Sequence, residues 1–148
     1  MNGAITLGTL DGANIEIKDA VGDENIVIFG LKSEEVLSYY AHGNYSAWDE
    51  YNNNPIAKFV MNKLTDGTYG DFRSIYDNIL ESNDEFFILK DLPAYDKARQ
   101  EIMERYADQE AWTKSSIINI AKSYIFSSDR TIEEYCQDIW EIEPVEIE

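Results

Sequence analysis

Apolar residues open the chain in two short runs, Ala4–Leu7 and Ile15–Ile17, on either side of a turn built from Gly8, Thr9, Asp11 and Gly12. The first run predicts a short buried strand over Ala4–Gly8. Asp11 stands where a carboxylate can accept from the free amides of a helix start, so the pattern predicts a helix over Gly12–Val21 with Asp11 as its cap. Ala13, Ile17, Ala20 and Val21 then share one face, and Gly22 is expected to close the helix in a left-handed conformation. Asn25–Phe29 is β-branched and apolar, a second buried strand ending at Gly30. A β-α-β unit of this kind brings its strands together in parallel.

Beyond Gly30 the period becomes helical. Ser33 is expected to cap Glu34–His42 before Gly43, and Ser46 with Asp49 resembles a capping box. Asn54-Pro55 begins another helix, since proline suits the first helical position. Its apolar positions are Ile56, Phe59, Val60 and Leu64, and those of the next are Phe72, Ile75, Tyr76, Ile79 and Leu80. Phe86–Leu89 reads as either a strand or a buried turn. Asp91 is expected to cap a helix carrying Ala98, Ile102 and Tyr106, and Asp108 one carrying Trp112, Ile117, Ile120, Ala121 and Tyr124. Ser128 is expected to cap the last, with Ile132, Tyr135, Cys136, Ile139 and Trp140 on one face. Glu141–Glu148 looks like a tail.

Two strands against about seven helical segments do not make the covered sheet that parallel strands need. The expected class is therefore α/β, with the chain forming the end of a domain whose earlier strands lie upstream.

Composition narrows the partners. With 148 residues and 44% hydrophobic content, a packed core is possible. The formal charge of −17 disfavours nucleic acid and anionic membranes. No apolar run is long enough to span a bilayer, and no signal peptide is visible. A single cysteine, Cys136, permits no internal disulfide. The chain reads as cytoplasmic.

The residues offer no complete catalytic set. The Gly8–Asn14 turn leads from strand to helix, a place where phosphates bind, but the spacing fits no phosphate-loop motif and Asp11 would repel an anion. A capped turn is the better reading. His42 is the only histidine and stands at a helix end; with one cysteine it makes no metal set. Cys136 lies on an apolar face and reads as a small buried hydrophobe. The acidic pairs Glu34/Glu35, Asp84/Glu85 and Glu133/Glu134 read as solvated surface among 29 acids. Tyr39/Tyr40 and Phe86/Phe87 could stack on a sugar face or pack in the core. No catalytic, cofactor-binding or metal residue is assigned.

Asn2–Glu16, NGAITLGTLDGANIE, resembles the N-G-A-[LI]-T-[ILV]-G-T-[ML]-D-G-A-N-[VI]-E stretch of the glycogen and maltodextrin phosphorylases. Gly22–Gly30 is similar to their G-E-E-N-x-F-I-F-G strand, departing at Asp23 and Val27. Phe126–Ile132 with Tyr135 and Ile139-Trp140 resembles their F-S-S-D-R-T-I-x-x-Y-x-x-x-I-W close, and Trp112 with Ile120-Ala121 falls in the same order.

The resemblance implies the C-terminal part of the second, cofactor-binding Rossmann-like domain of a GT-B type glycosyltransferase. That family transfers a glucosyl unit from an α-1,4-glucan to inorganic phosphate, giving glucose 1-phosphate. Its pyridoxal phosphate is held by a lysine in an E-A-S-G-T-G-N-M-K segment a few residues before N-G-A. This chain is expected to lie just after that segment, to bind no cofactor alone and to be inactive alone. Glucan and phosphate would be partners only of a complete enzyme. The terminal helix, residues 128–141, is expected to cross toward the family's N-terminal domain, or otherwise to self-associate or fold back. The alternative is a stand-alone binding or regulatory module that keeps the fold without the chemistry.

Overall fold

The computed structural model describes residues 2–143, so the final part of the acidic tail, 144–148, lies outside the described residues. The chain runs β1 (Leu7–Thr9), α1 (Ala13–Val21), a 3-10 turn (Asp23–Asn25) and β2 (Val27–Phe29). Helices α2 (Ser33–His42), α3 (Ala47–Asn53), α4 (Pro55–Lys63), α5 (Arg73–Glu81), α6 (Ile88–Ala107) and α7 (Gln109–Ala121) follow. A second 3-10 turn (Ser123–Phe126) leads to α8 (Ser128–Tyr135), which continues as a π turn, Cys136–Trp140.

The β-α-β unit is present and parallel, with Leu7 opposite Val27, Gly8 opposite Ile28 and Thr9 opposite Phe29. Both strands are shorter than the apolar runs that predict them. β1 starts at Leu7 rather than Ala4, and the Asp23–Asn25 turn takes the start of the second run. Gly22 does close α1 at positive φ, 81°, donating its amide to the Lys18 carbonyl, although its ψ of 158° lies outside the left-handed helical basin.

The long helix α6 joins two packed regions. On one side it lies against both strands and α7, and on the other against α3 and α4. Leu89 near its start belongs to the main core with Ala47, Ala57, Met61 and Leu80. Ala98, halfway along, is buried, as are Val21, Ile26 and Val27 around the strands. Pro93 is the sixth residue of α6, so the Leu89 carbonyl goes without the amide donor that a residue four positions on would otherwise supply.

Local capping signals hold where they are strictly local. The Ser46 hydroxyl accepts from the Asp49 amide at 3.1 Å. The Asn54 side chain accepts from Ile56 and Ala57, with Pro55 next to it. Asp108 accepts from the Ala111 amide at 3.1 Å. Others move. Ser33 and Ser128 are first helical residues rather than caps, and the Lys32 amide donates to the Glu35 carboxylate at 2.8 Å. Asp91 lies inside α6, and its carboxylate accepts instead from the Leu31 amide just past β2, at 2.8 Å.

The expected apolar face of α4 is wrong by one step around the helix. Ala57 and Met61 are buried, while Phe59 is 63% exposed and Ile56 and Val60 are open to solvent. In α7 the buried position is Asn119, whose amide donates to the Asn25 carbonyl at 3.0 Å and to Ser115. Ile117, Ile120 and Tyr124 are exposed. The terminal segment shows the same outward display: Ile132, Tyr135, Ile139 and Trp140 are all exposed, and Cys136 is half-buried rather than core.

Candidate functional site

The turn between β1 and α1 bonds to itself. Thr9 donates its hydroxyl to the Asp11 carboxylate at 3.0 Å, and Asn14 donates its side-chain amide to the Thr9 carbonyl at 2.9 Å. The cap of α1 is Gly12, at φ 46, with no side-chain hydrogen bond. Asp11 is therefore not a cap. Among the described residues its carboxylate accepts only from the exposed Thr9 hydroxyl, so Asp11→Asn and Asp11→Ala are both expected to shift stability by less than about 0.5 kcal/mol. Urea unfolding checks this; a loss near 1 kcal/mol confined to the alanine variant would restore the cap.

The more developed site lies where α2 meets the turn entering α6. Asp84, which the sequence places in a surface acid pair, is only 3% exposed. Its carboxylate accepts three hydrogen bonds: from the Tyr45 hydroxyl at 2.6 Å, the Ile88 amide at 2.9 Å and the Leu89 amide at 2.7 Å. Asn83, Asp84 and Phe87 all take positive φ, 57°, 46° and 56°. Asn83 is clamped as well, accepting from the Ala47 amide at 2.8 Å and donating to the Tyr45 carbonyl at 3.1 Å. Burial of Tyr45, with Asp84 accepting from its hydroxyl, pushes that phenol well above the usual tyrosine range.

Tyr39, Tyr45 and Phe87 pack on one another beside this turn, with centroids 4.7–5.8 Å apart. Both readings of the aromatic pairs thus apply to different members. Phe87 is core, Phe86 is exposed, and Tyr40 stands at the rim with Tyr39 half-buried behind it. Tyr39, Tyr40, Tyr45 and Phe87 border a hollow of about 270 Å³. Tyr45 was invisible as a site residue in sequence. The Asn83-Asp84 pair ahead of an apolar run was the available signal, since those residue types tolerate positive φ.

The remaining candidates stay apart. Among the described residues the His42 ring bonds only within its own helix, with Nδ1 2.7 Å from the Ser38 carbonyl. Glu34/Glu35 and Glu133/Glu134 are exposed. Among the described residues no cluster of three or more metal-ligating side chains forms, and no helix is long and apolar enough to cross a membrane.

A pyridoxal aldehyde needs an amine that gives up its proton easily, through burial or a neighbouring cation. Lys63 and Lys90 are held the other way, raised by hydrogen bonds to Asp66 and Glu50. Lys18 is paired with Asp23 at 2.9 Å, and Lys58 lies over the Tyr51 ring. Lys32, Lys97, Lys114 and Lys122 are exposed. The lysines of this chain do not fit the cofactor.

A parallel β-α-β start followed by a helical run is the architecture of an α/β domain. The family model for carbohydrate phosphorylase matches residues 1–142. Glycogen phosphorylase of Bacillus subtilis is 46% identical over 149 aligned residues, covering 98% of this chain and 19% of the relative. Glycogen phosphorylase of Synechocystis is also 46% identical, over all of this chain and 18% of its own length. Maltodextrin phosphorylase of Streptococcus pneumoniae is 40% identical, covering 96% and 19%. The chain belongs to the carbohydrate phosphorylase family, and it spans about a fifth of the length of these relatives.

Proposed function

We propose that this chain supplies the C-terminal part of the cofactor-binding domain of a cytoplasmic α-1,4-glucan phosphorylase. The complete enzyme would move a glucosyl unit from the glucan to inorganic phosphate, with pyridoxal phosphate held by residues outside this chain. The observation that carries the reading is the identity of 46% along nearly the whole chain. The unfitted lysines and the absence of a catalytic set among the described residues support a structural share in that enzyme rather than turnover by this chain alone.

The exposed face of α8 and its π turn supports a second part of the proposal. Ile132, Tyr135, Ile139 and Trp140 would pack on the remainder of the enzyme, and each large side chain buried there would contribute roughly 1.5–3 kcal/mol. Association with a second copy through the same face is the competing outcome.

The test is complementation. The chain is mixed with a Bacillus subtilis glycogen phosphorylase lacking the matching stretch, and glucose 1-phosphate is measured with glycogen, phosphate and pyridoxal phosphate. Turnover is expected only when both parts are present, and Tyr135→Ala with Trp140→Ala is expected to abolish it. Turnover by this chain alone, with one lysine stoichiometrically trapped by borohydride reduction, would overturn the reading.

A further inference from the structure

We propose that the hollow between α2 and the turn at residues 82–87 binds one glucosyl unit of an α-1,4-glucan, stacked on Tyr40. The inference rests on the glucan reading above and adds a binding site away from any transfer chemistry.

The wall is aromatic and preset. Tyr40 is 57% exposed, and it meets Phe87 edge-on at 5.3 Å and 74°. An edge-to-face contact engages at most one face of a ring, so Tyr40 keeps a face for a ligand. Its hydroxyl donates to the Glu85 carbonyl at 2.7 Å, which fixes the ring before anything binds. The opposite rim is equally fixed, because Asp84 and Asn83 clamp the turn. Preorganisation of this kind lowers the ordering cost of binding.

The polar rim suits hydroxyl groups. Ser82 and Glu85 are exposed and border the hollow, offering a hydroxyl and a carboxylate beside the ring. Aromatic faces with a few convergent polar groups are the usual makeup of a small-molecule site. Asp84 and Glu85 line it, with no lysine or arginine among its lining residues, so phosphate esters are repelled and a neutral polyol is not. The volume of about 270 Å³ suits a single ring rather than a branched segment.

Maltotriose is titrated into the full chain, following amide shifts by NMR. Saturable shifts are expected at Tyr40 and over residues 82–87, with none from glucose 1-phosphate. Tyr40→Ala is expected to weaken binding by at least about tenfold. Tyr40→Phe keeps the ring and is expected to bind, and Glu85→Gln, which leaves the fold contacts in place, is expected to weaken binding several-fold. Absence of saturable shifts, shifts indifferent to both Tyr40→Ala and Glu85→Gln, or a stronger response to choline than to maltotriose would overturn the site. Turnover restored in the complementation assay without any maltotriose shift would sink this site while leaving the phosphorylase reading intact.

Discussion

Asp84→Ala is expected to destabilise the chain by about 3–5 kcal/mol in urea unfolding, among the largest effects of any single surface-to-core acid. The substitution strips the acceptor from three donors at once, Tyr45, Ile88 and Leu89, in a place water reaches poorly. Two of these are amides at the start of α6, so the helix also loses its entry. Asp84→Asn keeps one acceptor oxygen but turns an NH₂ group toward a ring of donors, and about 2 kcal/mol is expected. Equal, small losses for both variants would mean that the carboxylate is replaceable by solvent. The same cluster sets an alkaline limit. Tyr45 holds its proton more tightly when folded than when unfolded. Its contribution is complete below the ordinary tyrosine value of 10.0 and declines as pH rises beyond it toward the folded value. Tyr45→Phe is expected to remove that decline, which a pH series of urea midpoints would reveal.

Gly30→Ala is the second large effect, expected at about 2–4 kcal/mol. Gly30 has φ +82, where a side chain is strained, and a Cβ there would stand 2.5 Å from an Asp91 carboxylate oxygen. That carboxylate holds the Leu31 amide and so fastens the end of β2 to α6. Displacing it costs the hydrogen bond as well as the backbone strain. Asp91→Asn separates the two contributions, because the amide oxygen still accepts from Leu31. Burial, then the nearby Asp84 and Glu35 charges, hold the Asp91 carboxyl above its ordinary range against the opposing Leu31 hydrogen bond. A raised carboxyl favours folding most when protonated, and that contribution falls as pH climbs from the ordinary 3.8 through the folded value. Asp91→Asn is therefore expected to flatten the fall and to be no less stable than the parent at pH 7. A Gly30→Ala loss no larger than that of an exposed loop glycine would remove the clasp.

What could be read from sequence was what neighbours in sequence decide. The parallel strands follow from two apolar runs separated by a helix-length segment, and Ser46, Asn54 and Asp108 cap helices because they bond two or three residues ahead. Periodicity also located α4, but not the side it buries. Ile56, Phe59 and Val60 are larger than Ala57, yet the close approach of α3 and α6 leaves room for Ala57 and Met61. Asp91 was misplaced because its partner, Leu31, lies 60 residues away, and Asp84 because its burial depends on Tyr45, 39 residues away, as well as on the nearby Ile88 and Leu89 amides. The hollow was half legible, through Tyr39, Tyr40 and Phe87. Its depth depends on a turn clamped by contacts that no local pattern encodes.

The Asn119 side chain, bonded to the Asn25 carbonyl 94 residues earlier, sets an order of events during synthesis. The Asn25 side chain in turn holds the end of α1 at the Val21 carbonyl, 2.8 Å away. Leu31 waits in the same way for Asp91, 60 residues on. The two strands are thus among the last parts of this stretch to settle, because the helices that secure them are made after them. Contacts of such long range carry a loop-closure cost before they return any stability. Until α7 is released, Asn25 lacks the side chain that anchors it beside the strands, and in that interval this stretch is open to proteases and to pairing with other chains.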